Sequence, residues 1–165
     1  MMPHRVRLFR LVTRSLCIVA AAFAFAAPAG AGVVDGVKTV DGLTVYLGVV
    51  PAAVTRAHAP QHAERTMHGG AVKAGIHDVH LLVAVFNSAS GQRLRNVSVT
   101  ARIHGTGKNR LTVPLPAMTI NGAYTYGGYT SLGLEEAIMI SIDIRRPGRT
   151  PRTSTTTAQF EYVHD

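Results

Sequence analysis

The sequence predicts an all-β fold, an immunoglobulin-like β-sandwich of about seven strands behind an N-terminal signal peptide. Three observations carry this. Apolar residues recur with a period of two in several short segments, and no segment keeps a helical period. Gly, Pro, Asn and Asp punctuate those segments as turn signals. After residue 31 the chain holds no cysteine, so a core and not disulfides must hold an exported domain together.

The elements follow in order. Arg5, Arg7, Arg10 and Arg14 form a basic region, Leu16 to Ala27 an apolar run, and Ala29-Gly30-Ala31 a small-x-small cleavage site. This is the three-part layout of a secretory signal. The run is shorter than the ~20 residues a membrane-spanning helix needs. Residues 1–31 therefore read as a signal peptide and 32–165 as a single domain, exported to the periplasm with no membrane span after cleavage. The formal net charge of +8 falls on cleavage, because 4 of the 17 Lys and Arg leave; 13 remain against 9 Asp and Glu, a net of +4. No basic patch interleaved with aromatics appears, so nucleic acid is not an expected partner.

Leu43, Val45, Leu47 and Val49 alternate after the Asp41-Gly42 turn signal, and Pro51 ends that strand. Residues 52–76 read as a long connection rich in His, Met and Gly, with at most one helical turn at its start. His77 to Asn87 is apolar on both faces, as expected of a strand well inside a sheet. Val97 to Ile103 alternates cleanly and reads as its hairpin partner or neighbour. Leu111 to Ile120 carries Pro114 and Pro116 and reads as an edge strand or connector. Asn121-Gly122 signals a type I′ turn. Ala123 to Ser131 has strand propensity from Tyr124, Tyr126 and Tyr129, with a bulge expected at Gly127-Gly128. Ile138, Ile140, Ile142 and Ile144 mark the clearest half-buried strand. Thr155 to Val163 closes the chain with Ala158, Phe160 and Tyr162 inward.

The blocks GLTVYLGVVPA, MHGG, HDVHLLVAVFNSASGQRL, PAMTI, YTYGGY and IDIRRPG, in that order, resemble small exported bacterial proteins of the YtkA-like and FixH-like immunoglobulin-fold group. The resemblance spans roughly residues 42–163. It implies a periplasmic β-sandwich, and some members of that group occur in copper or cytochrome-oxidase settings.

Imidazole and thioether side chains are the ligands copper prefers. Six of the ten such residues after the signal lie between 58 and 80: His58, His62, Met67, His68, His77 and His80. These are the candidate metal ligands. His58 and His62 are four apart, which suits one face of a helical turn. His77 and His80 are three apart, which puts them on opposite faces of a regular strand. His77 therefore pairs more naturally with Met67 and His68, and Met118 joins only if its strand lies beside that of His77.

Catalytic signatures are missing. No Gly-x-Ser-x-Gly frames a serine, Glu135 and Glu136 are adjacent and diverge on a strand, and Gly105-Thr106-Gly107-Lys108 lacks phosphate-loop spacing. Two readings stay open. One is a non-enzymatic periplasmic accessory protein that binds a transition metal, copper being the best fit. The other is a metal-free structural or partner-binding module of the envelope, whose partner protein is unknown and whose surface would be the Tyr124, Tyr126, Tyr129 stripe.

Overall fold

The computed structural model describes residues 32–56, 75–105, 110–133, 137–147 and 154–164. The signal-peptide reading of 1–31 lies outside these residues. Among the described residues the chain forms ten strands and one short helix. They are β1 (Gly32–Val34), β2 (Val37–Val40), β3 (Leu43–Pro51), α1 (Ala52–Arg56), β4 (Asp78–Asn87), β5 (Ser98–His104), β6 (Arg110–Leu115), β7 (Ala117–Ile120), β8 (Ala123–Ser131), β9 (Ala137–Arg146) and β10 (Ser154–Val163).

Two five-stranded antiparallel sheets result, in the orders β1-β10-β9-β5-β6 and β2-β3-β4-β8-β7. The immunoglobulin-like sandwich expected from the alternation is present. Its strand count exceeds the sequence expectation because two stretches each change sheets. Val33 and Val34 add to β10, and Val37 onward adds to β3, with Asp35 at φ 54° turning the chain between them. Likewise 110–115 borders one sheet and 117–120 the other, and the switch falls at Pro116. Both halves of that stretch are edges, where missing proline donors cost least.

The inner faces are apolar and closely packed. Ile138, Ile140, Ile142, Ile144, Phe160 and Val99 meet Leu43, Val45, Leu81, Val83 and Val85. Each of these is an odd or even member of its strand's alternation, so the period of two translates directly into the core. β4 is the central strand of its sheet. Its odd-numbered residues enter the core, while His80, Leu82, Ala84 and Phe86 lie on the outer face, and α1, which follows β3, packs against β3 and β4.

Three local expectations are corrected or refined. β5 is not the hairpin partner of β4; it pairs with β6 and β9 in the other sheet. Residues 88–97 carry the chain across, tied down by Leu94 N donating to Val85 O (2.8 Å) and Asn87 N to Gln92 O (2.8 Å). Gly127-Gly128 is not a bulge, since both residues keep the regular register opposite Leu82 and Leu81. Asn121-Gly122 does form the tight turn between β7 and β8, at φ 48° and 79°. Among the described residues no helix is long and apolar enough to cross a membrane.

Candidate metal centre

Four of the six sequence candidates, His58, His62, Met67 and His68, lie outside the described residues. The other two part company. His80, three residues into β4, is fully buried (0 % exposed) on the outer face of its sheet. His77 stands just before β4, with inward parity, at one open end of the sandwich. The odd offset between them separates the two, as strand geometry requires.

His80 is held by neighbours on β8. It sits opposite Tyr129 in register, and the two rings stack at 4.3 Å between centroids with an interplanar angle of 15°. Two residues back along β8, on the same face, is Gly127. A Cβ placed on Gly127 would lie 2.6 Å from Met118 Sδ, 2.9 Å from Leu81 O and 3.0 Å from His80 Nε2. The glycine is therefore a gap into which a thioether from β7 and an imidazole from β4 both point. Met118 is itself buried, at 6 % exposed. On its other side Gly128 is equally confined, with Pro114 O at 3.1 Å and a Leu115 methyl at 3.2 Å from its would-be Cβ. The two adjacent glycines answer to crowding on opposite faces of one strand.

Met118 reaches His80 without its strand lying beside β4, because β8 intervenes. Only a strand residue with no side chain between them permits this. The sequence signal was present in Gly127 but was read as a bulge. The sulfur and the nitrogen both border the space of one missing methyl, so Met118 and His80 are the two residues here that would hold a soft ion. A thioether-plus-imidazole pair suits Cu(I). Among the described residues no three His, Asp or Glu side chains gather into a metal-binding group, so the methionine is what makes this place distinctive.

His77 finds a different partner. Its ring lies 6.2 Å from that of His164, nearly perpendicular to it, and His164 packs edge-on against Tyr162 at 5.0 Å. Both histidines continue the inward parity of their strands, β4 and β10, so they meet where the two sheets open. Met139 is exposed (40 %) and stands apart from both places.

The tyrosine stripe is largely consumed inside the molecule. Tyr126 is buried (3 % exposed) and donates to Leu94 O at 3.3 Å, while Tyr124 donates to Arg95 O at 2.9 Å. Burial pushes the Tyr126 phenol up to about 12. On the outer face of the other sheet, Arg102 clamps Asp143 through two bonds of 2.6 and 2.8 Å, and Thr157 adds a third at 2.7 Å. These bonds hold the Asp143 carboxyl below the usual carboxylate range, the Arg102 contact first among them.

No protein-family model matches the chain, and no curated protein matches it in sequence. Solved structures do match. A copper-bound variant of FetP from uropathogenic Escherichia coli strain F11 is 11% identical, with a TM-score of 0.58 over 81% of this chain and 98% of that one. A copper-bound variant of Campylobacter jejuni P19 is 11% identical, with a TM-score of 0.56 over 82% and 97%. A DUF4426 family protein from Pseudomonas aeruginosa PAO1 is 13% identical, with a TM-score of 0.54 over 81% and 97%. At these identities the likeness is one of fold. It extends the sandwich to almost the whole length of each neighbour, and none of these three bears the YtkA-like or FixH-like name that the sequence blocks resemble.

Proposed function

We propose that this chain is a non-enzymatic accessory protein of the periplasm that binds copper, as Cu(I), between His80 and Met118. The observation that carries the reading is the convergence of His80 Nε2 and Met118 Sδ on the space left by Gly127. The donor set is a neutral imidazole and a thioether, which fits holding a soft ion. Two further lines support it. Two of the matched sandwiches, P19 and FetP, are copper-bound. The sequence blocks also resemble a group with members in copper or cytochrome-oxidase settings. The metal-free partner module has less to rest on, because Tyr124 and Tyr126 are spent on internal hydrogen bonds.

The test is a Cu(I) titration of the exported chain against a competing chromogenic chelator, beside Met118→Leu and His80→Gln. One equivalent held by the parent and released by either variant is expected. Equal retention by all three would refute the site.

A further inference from the structure

At the end of the sandwich remote from His77 and His164, the crossover 88–97 and the last residues of β9 enclose an open cleft of about 640 Å³. That volume is within the range of small-molecule sites. Its lining includes Arg93, Arg95, Asn96 and Arg146, and no acidic side chain among the described residues. Arg145 lines the adjoining hollow with Asn96 and Ser98. Three arginines thus line the cleft and a fourth the hollow beside it, with no carboxylate among the described lining residues. By contrast Arg102, elsewhere on the same sheet, is neutralised by Asp143.

The arginines are held, not trailing. The Arg93 guanidinium lies over the Phe86 ring at 4.6 Å and donates to Tyr124 O. Arg95 lies over the Tyr124 ring at 5.5 Å. Stacking on aromatic faces fixes the guanidinium plane and leaves its edge donors directed outward. The crossover that carries them is itself stiff, since Asn87 Oδ1 accepts from the backbone N–H groups of Ala89 (3.0 Å) and Ser90 (2.9 Å). Arg146 Nε is shielded from solvent and has no hydrogen-bond partner among the described residues. A shielded guanidinium donor without an acceptor is costly, and an anion would supply one.

We propose that this cleft is a binding site for an oxyanion of the phosphate class, gripped by Arg146 and Arg95 with Arg93 behind them. Clustered guanidinium forks match phosphate oxygens two at a time. The site shares no residue with the copper reading, whose Gly127 lies opposite Leu82, midway along β4.

The experiment is a titration of the exported chain with inorganic phosphate, followed by backbone amide NMR shifts, against sodium chloride at matched ionic strength. Saturable shifts centred on Arg95, Asn96 and Arg146, weakened at least about tenfold in Arg146→Gln, are expected. Arg95→Gln, at an exposed position, provides a second variant that leaves the fold intact and should also weaken binding. Vesicles containing phosphatidylglycerol distinguish the source of the anion. Capture on them that phosphate competes away points to a lipid headgroup, and phosphate binding without capture points to a soluble anion; both sustain the site. Phosphate shifts no larger than those from chloride, or unchanged in both variants, would overturn it.

Discussion

Met118 Sδ and His80 Nε2 both crowd the same absent methyl, 2.6 and 3.0 Å from where a Cβ on Gly127 would stand. Two strands that do not pair with each other thereby bring their side chains together across a third. Three consequences of this arrangement, and two of hydrogen bonds elsewhere in the sandwich, can be measured.

Gly127→Ala forces a methyl against the thioether, the imidazole and Leu81 O at 2.9 Å. The carbonyl belongs to the central strand and cannot rotate away. The variant should lose about 1–3 kcal/mol of stability, as overpacked sites do, and with it the copper affinity. Urea denaturation of the two proteins checks the first, and chelator competition the second.

Met118→Leu keeps volume and apolarity but removes the sulfur. Such swaps usually cost less than about 1.5 kcal/mol. The melting temperature should therefore change little while Cu(I) affinity falls by at least about tenfold, roughly 1.4 kcal/mol. A matched fall in both would make Met118 a packing residue only.

Asp143 gives the acid limb of stability. Its folded pKa is lowered from the ordinary value of 3.8, chiefly by the hydrogen bonds from Arg102. The stabilisation it provides is present above that ordinary value and is lost as pH falls through the lower folded one. Asp143→Asn should flatten the dependence of the urea midpoint on pH in that acid window, with the parent showing the steeper loss.

Tyr126 gives the alkaline limb. Its folded pKa is raised from 10.0 to about 12 by burial. Its contribution is complete below pH 10 and lost as pH rises through about 12. Tyr126→Phe should remove that loss and shorten the phenolate absorbance titration by one late-titrating group. It should also cost about 0.5–1.5 kcal/mol at neutral pH, since the bond to Leu94 O goes with it.

The two-residue alternation of the isoleucines in β9 and the two-sided apolarity of β4 were enough to read the sandwich and the central strand from sequence. Edge character was legible in Pro114 and Pro116 for the same local reason. Sheet membership was not. Nothing in the SASGQ turn distinguishes a hairpin from a crossover, and that choice is made by long-range pairing of β5 with β9. The site was half legible. His80 was singled out by its residue type and its neighbours, but its partner depended on a strand order that no local pattern encodes. Gly127 held the missing information. A glycine in a strand marks either a bulge or a close approach, and only the packing across β7, β8 and β4 decides which.

The most direct measurement is X-ray absorption at the copper edge of the Cu(I)-loaded chain, repeated on Met118→Leu. One sulfur neighbour at roughly 2.3 Å beside nitrogen at roughly 2.0 Å, with the sulfur lost in the variant, is the expected result. A shell of nitrogen and oxygen alone in the parent, or a sulfur signal that survives the substitution, would contradict a copper site at Met118 and His80.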